Sequence, residues 1–221
     1  MRPNLFLFDL DGTLVDTSPD LGGAVNDMRV ARGLAPLPLE TLRAPSGHGG
    51  PALLKAAFGM DRTDPKFESM RAEFLARYAE RGASHSAVFP GITDLLAALR
   101  AEDFACGVVT NKPQRMAERV VADLNLAPML SVTVGLGPEG TALKPRPDSI
   151  LLALRLAGVA PREALYAGDS TSDGVAAHAA GVPFAWVSWG CQAAAPEAKD
   201  ADLIAASPAE LLDWALARRR L

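Results

Sequence analysis

Cysteine is nearly missing from this chain. Its 221 residues hold two, Cys106 inside an apolar run and Cys191 in a Gly-Cys-Gln loop, so neither a disulfide framework nor a cysteine metal site can be read. A reducing compartment, the cytoplasm, is the expectation. Neither sign of charge dominates: 22 basic side chains face 26 acidic ones for a net charge of −4, and the one basic run, Arg218-Arg219-Arg220, closes the sequence. That excludes a strongly basic nucleic-acid surface, and the terminal arginines fit a helix C-terminus or solvent instead. Long apolar runs are missing too. No stretch approaches the roughly 20 residues needed to cross a bilayer, and the run after Arg2 stops at Asp9, too early for a signal segment. A soluble protein with no membrane partner is expected, as a monomer or a homodimer. Histidine is sparse as well: His48, His85 and His178 lie far apart. His85 and His178 are not credible metal ligands alone.

What is present begins with Phe6-Leu7-Phe8-Asp9-Leu10-Asp11-Gly12-Thr13-Leu14-Val15-Asp16. Leu5 to Phe8 are continuously apolar, as in a strand buried on both faces of a parallel sheet, and they deliver Asp9 to the strand's carboxyl end. Asp11 follows, with Gly12-Thr13 supplying a turn where open α/β sheets bind ligands. An ordinary turn explains Asp11-Gly12 but not Asp9. Further apolar strands are expected at 105–109, 131–134, 164–167 and 184–187, each separated from the next by a helical pattern. This alternation predicts an α/β fold, a doubly wound parallel sheet with helices on both faces. Ser207-Pro208-Ala209-Glu210 has capping-box spacing and opens a last helix.

Residues 16–85 carry no strand pattern. Ser18-Pro19-Asp20 starts a helix running to about Gly33, Leu39 begins a short second one, and residues 44–50 read as a glycine-rich loop. Leu53, Leu54, Ala57 and Phe58, and then Phe67, Met70, Phe74, Leu75 and Tyr78, give two amphipathic stripes. The expectation is an all-helical insertion (16–85) within an α/β core made of 1–15 and 86–221.

The polar residues converge. Asp9, Thr110 and Asp169 each follow a separate apolar strand, Lys144 lies beyond the 131–134 strand, and Asp173 comes four residues after Asp169. Four carboxylates, one hydroxyl and one ammonium would share a crevice, and that much negative charge in oxygen ligands calls for a divalent cation, Mg²⁺. A carboxylate can attack phosphorus while a second carboxyl protonates the leaving alcohol and later activates water; Asp9 and Asp11 suit those roles. Thr110 and Lys144 would hold the phosphoryl oxygens, with backbone amides at Leu10 and Asn111 completing the cradle.

Four separated segments, Phe8-Asp9-Leu10-Asp11-Gly12-Thr13-Leu14, Val109-Thr110-Asn111-Lys112, Lys144-Pro145 and Gly168-Asp169-Ser170 with Asp173, together resemble the signature motifs of the haloacid dehalogenase-like phosphatases, in the family's order. The resemblance implies a Rossmann-like core with a small all-helical cap inserted after the first strand. It implies Asp9 as nucleophile and metal ligand, Asp11 as acid/base with its backbone carbonyl on the metal, Asp169 as metal ligand, and Asp173 as a direct or water-mediated one. The start Asp16-Thr17-Ser18-Pro19-Asp20-Leu21, residues 47–59 and Ala180-Gly181-Val182-Pro183 look most like phosphoglycolate phosphatases. The expected substrate is a small phosphorylated metabolite, 2-phosphoglycolate first. A sugar or amino-sugar phosphate such as N-acetylmuramate 6-phosphate, a phosphomutase reaction, and a non-catalytic phosphate-binding regulator are the alternatives.

Other residues are weighed against plainer roles. His48 and Arg43 are candidates for substrate contact, Arg43 for a substrate carboxylate. His85 is expected at the hinge of the insertion and His178 on a helix face. Gly135-Leu136-Gly137-Pro138-Glu139-Gly140 fits a dinucleotide-binding spacing, but Pro138 and the lack of a following apolar helix make it a loop. Trp186 and Trp189 read as packing residues, and Asp16 as a hinge residue.

Overall fold

The computed structural model describes residues 4–191 and 200–220. Residues 1–3, 192–199 and 221, which the expected core bounds include, lie outside them. Six strands form one parallel sheet in the order β5-β4-β1-β6-β7-β8. They are β1 (Leu5–Phe8), β4 (Ala105–Pro113), β5 (Val132–Leu136), β6 (Ala164–Gly168), β7 (Phe184–Val187) and β8 (Leu203–Ala205). The chain builds outward from β1 to β4 and β5, then returns to lay β6, β7 and β8 on the other side. The carboxyl end of β1 is therefore the point where strand order reverses, the place where such sheets open a crevice.

Side-chain alternation along each strand sorts the core into two layers. Phe6 and Phe8, Cys106 and Val108, Leu165 and Ala167 face one layer with helices α5 (Ile92–Ala101), α6 (Gln114–Asp123) and α9 (Pro208–Arg220). Leu5 and Leu7, Val109, Ala164 and Tyr166 face the other, with α7 (Asp148–Ala157) and α8 (Thr171–Ala179). Phe6 and Phe8 are fully buried and stack at 4.4 Å between ring centroids, and burying each ring is worth about 2–3 kcal/mol.

The segment between β1 and β4 is helical, with α1 (Ser18–Val30), α2 (Leu39–Ser46), α3 (Gly49–Phe58) and α4 (Phe67–Arg81). These helices enclose a third hydrophobic cluster of their own, in which Leu21, Val25 and Met28 of α1 meet Leu53 and Leu54 of α3 and Phe67, Met70, Phe74 and Tyr78 of α4. A two-stranded antiparallel ribbon, β2 (Val15–Asp16) with β3 (Ala87–Val88), joins this unit to the sheet.

Four local expectations change. Residues 44–50 are not a loop: α2 continues through Pro45 to Ser46, and α3 begins at Gly49 with Pro51 in its first turn, leaving Gly47-His48 between them. Proline is tolerated there because first-turn amides lack intrahelical partners in any case. The β4 strand does not end before Thr110; it runs through Thr110, Asn111 and Lys112 to Pro113, with its register to β5 shifting between Val109 and Pro113. Ser18 opens α1 without capping it; Asp16 instead accepts hydrogen bonds from the Ser18 amide (3.1 Å) and hydroxyl (2.6 Å). The edge strand β8, three residues long, was not expected, since so short a run carries no readable alternation.

Residues 137–140 leave β5 as turns and bends. The Glu210 carboxylate accepts from the Ala206 amide at 2.9 Å at the start of α9. Trp186 is buried, and the Trp189 indole donates to the Thr13 carbonyl at 3.0 Å. Among the described residues no helix is long and apolar enough to cross a membrane.

Candidate active site

Lys144 is the hub of the polar cluster. Its Nζ, buried in the core, donates to Asp9 Oδ1 (2.8 Å), Asp173 Oδ1 (2.6 Å), the Tyr166 hydroxyl (2.9 Å) and the Val109 carbonyl (3.1 Å). Burial works against its charge, but Asp173 and Asp9 outweigh it and hold the ammonium well above its ordinary value. Asn111 holds the Lys144 backbone from both sides: its side-chain oxygen accepts from the Lys144 amide (2.7 Å) and its amide group donates to the Lys144 carbonyl (3.2 Å). The Asn111 side chain thus anchors the lysine loop, a role that the sequence reading did not assign.

Asp9 stands at the end of β1, its amide donating to the Ala167 carbonyl of β6 at 2.9 Å. Burial, with Asp173 and Asp11 nearby, raises its carboxyl to about 7 against the pull of Lys144. Asp169, at the end of β6, is raised to about 8 by burial and by Asp9 and Asp173, while the Cys191 amide donates to its Oδ2 at 2.8 Å. Asp173 sits in the first turn of α8, where its Oδ2 accepts from the Ser170 amide (3.1 Å) and hydroxyl (2.5 Å), a reciprocal cap.

Oxygens of Asp9, Asp169 and Asp173 lie within 4.8 Å of one another. Gly12, Gly168 and Gly190 make room for them. A Cβ on Gly12, whose φ is +86°, would lie 2.3 Å from Asp169 Oδ2, and one on Gly168 would lie 2.4 Å from the Asp173 carboxyl carbon. Three crowded, buried carboxylates form an all-oxygen donor set, which fits a hard divalent cation.

Above the sheet edge a cavity of about 820 Å³ opens between the carboxylates and the helical unit, walled by Asp9, Asp11, Thr110 and Lys144 below and by His48 and Tyr78 above. Arg43 is not among the lining residues. Its guanidinium is bonded to Asp16 and, at 3.2 Å, to the Ser18 hydroxyl, an ion pair at the hinge. His85 lies at the hinge as expected, its amide donating to Asp20 at 2.9 Å, and His178 packs edge-on against Phe184.

Lys112 also lines this cavity, although its sequence position suggested no role of its own. It is buried, with Nζ 3.0 Å from Asp11 Oδ1, 3.0 Å from the Tyr78 hydroxyl and 4.4 Å from the centre of that ring. One signal was available: two positions after Thr110 on an extended strand, it projects from the same face.

A parallel α/β sheet that gathers carboxylates and a lysine at its switch point makes a site suited to phosphoryl transfer. The chain belongs to the haloacid dehalogenase-like hydrolases, whose family model matches residues 6–187. It is 39% identical over 215 residues to an N-acetylmuramic acid 6-phosphate phosphatase of Pseudomonas aeruginosa, covering 96% of this chain and 95% of that one. It is 38% identical over 210 residues to a phosphoglycolate phosphatase of Chromobacterium violaceum, covering 93% of each. A crystal structure of a Haemophilus somnus protein described as a predicted phosphoglycolate phosphatase superposes with a TM-score of 0.82 at 27% identity, over 97% of this chain and 98% of that one. The protein is a phosphoric monoester hydrolase of this family.

Proposed function

We propose that the protein hydrolyses a small phosphate monoester bearing a carboxylate, 2-phosphoglycolate first, by way of an aspartyl-phosphate on Asp9, with Mg²⁺ at Asp9, Asp169, Asp173 and the Asp11 backbone carbonyl. The observation that carries this reading is the convergence of Asp9, Thr110, Lys144, Asp169 and Asp173 on one edge of the sheet, beside Asp11. Bound there, the cation would neutralise the carboxylates and offset charge on the phosphoryl oxygens.

An Asp9 carboxylate oxygen attacks phosphorus as the ester P–O bond breaks, and Asp11 gives its proton to the departing alkoxide oxygen. Thr110 and Lys144 hold the nonbridging oxygens in a site already closed to solvent on the sheet side. Asp11, now ionised, takes a proton from the water that attacks the phosphoryl group. The P–O bond to Asp9 then breaks, and inorganic phosphate and the Asp9 carboxylate are released. Residues 16–85 act as a cap over this edge and select the substrate, with His48 and Tyr78 facing it across the cavity. The cytoplasm, where two unpaired cysteines stay reduced, is the proposed compartment.

The relatives named phosphoglycolate phosphatase support the first choice. One observation favours a second: a cavity of about 820 Å³ is far roomier than a two-carbon acid requires and falls in the range that encloses sugar-sized or larger ligands, which suits N-acetylmuramate 6-phosphate. That compound also carries a carboxylate. Ranking 2-phosphoglycolate, N-acetylmuramate 6-phosphate and phosphates of sugars that carry no carboxylate by kcat/KM decides between them. Asp9→Asn is expected to lower Mg²⁺-dependent phosphate release by at least about 10³-fold; full activity in that variant would sink the assignment of the nucleophile.

A further inference from the structure

Asp11 has partners on two different units of the protein. Thr17, at the turn into α1, donates its hydroxyl to Asp11 Oδ1, and Lys112 brings its ammonium to the same oxygen at 3.0 Å. These donors leave Oδ2 as the oxygen they do not engage. Lys112 in turn donates to the hydroxyl of Tyr78, on α4, at 3.0 Å and lies against its ring. Tyr78 is itself fixed: it is 3% exposed, belongs to the cluster that holds α1, α3 and α4 together, and stacks beside Phe74 at 6.3 Å. Lys112 is rigid at its base as well, because it belongs to β4 and its amide donates to the Thr110 hydroxyl at 3.2 Å.

We propose that Lys112 is the positioning residue of Asp11, turning Oδ2 toward the leaving-group oxygen and, through the Tyr78 hydroxyl, making that orientation depend on α4 standing over the sheet edge. The inference rests on the proposed role of Asp11 as proton donor to the ester. A buried lysine that merely neutralised charge would need no partner on the helical unit. Here the same ammonium joins the proton-transfer group to the wall of the substrate cavity, so an unseated α4 takes away the Tyr78 hydroxyl that fixes Lys112 against Asp11. Chemistry is thereby coupled to closure over a bound ester, which disfavours protonation of a leaving group that the helical unit has not enclosed.

Leaving-group dependence isolates this role. A phenolate such as p-nitrophenolate departs without a proton, whereas an alkoxide needs one, and kcat/KM reports only the steps up to the first irreversible departure. Lys112→Met is expected to lower kcat/KM for an alkyl phosphate by about 10- to 100-fold and for p-nitrophenyl phosphate by less than about 3-fold. Asp11→Asn should show the same split, more deeply, and adding Lys112→Met to it should cost nothing further. Tyr78→Phe, which keeps the ring and its packing, should lose in the same direction by a smaller factor. It carries the test if Lys112→Met does not fold by circular dichroism. Equal losses on both esters, or losses that multiply in the double variant, overturn the inference. A wild-type enzyme without Mg²⁺-dependent turnover, or an active Asp9→Asn, overturns the underlying function instead, and the inference with it.

Discussion

Asp9 and Asp169 are carboxyls held at about 7 and about 8, where an exposed aspartate lies near 3.8. A group whose value is higher folded than unfolded keeps a proton that the unfolded chain has already lost, so folding becomes less favourable as pH rises between the two values. The metal-free protein should therefore lose thermal stability between about pH 5 and about pH 8. A cation needs the ionised carboxylates, so the gain in Tm on adding Mg²⁺ should be larger at pH 8 than at pH 6. Thermal melts in chelator, with and without excess Mg²⁺, at both values provide the measurement. An equal gain at both would mean that these carboxylates do not hold the ion. Asp9→Asn and Asp169→Asn should each flatten the pH dependence of the metal-free protein.

Between elements, the fully buried Asp20 is the tie that holds the two chain crossings of the helical unit together. From the first turn of α1 it accepts hydrogen bonds from the Ser86 hydroxyl (2.7 Å), the His85 amide (2.9 Å) and the Ser84 hydroxyl (3.2 Å). Burial by itself would raise its carboxyl, but these donors hold it below the ordinary value. Asp20→Ala leaves the buried Ser86 hydroxyl without its acceptor and is expected to cost about 1–3 kcal/mol in denaturant unfolding. It should also raise KM for the true substrate more than it lowers kcat, because the catalytic groups on β1, β4 and β6 are untouched. The sheet offers a second test at this scale. A Cβ at Gly107 of β4 would lie 2.5 Å from Val132 and 2.9 Å from Leu7, so Gly107→Ala should destabilise the protein by about 1–3 kcal/mol through overpacking, read by the same method.

Across the whole molecule, the sequence and the tertiary structure divide the explanation unevenly. Five of the six strands of the sheet were legible from their short apolar runs, and Asp9 and Asp169 were legible because each follows the end of such a run. The pairing of Lys144 with Asp9 and Asp173 was legible only as a convergence. Its four-partner ammonium depends on residues that meet across 135 positions of chain. Arg43 illustrates the limit: its composition and position fit a substrate contact, but Asp16, 27 residues earlier, claims it once α2 packs beside the hinge. Lys112 shows the same limit from the other side, since nothing local reveals that Tyr78 of the helical unit will stand over it. By itself the sequence determined the alternating α/β plan, the helical insertion and the acids at the strand ends, because hydrophobic periodicity and strand termination are short-range properties. Which ammonium neutralises which carboxylate, which arginine is spent on the hinge, and how the proton-transfer aspartate is tied to the helical unit were decided only by the tertiary structure, because hydrogen bonds and buried charges find their partners through space.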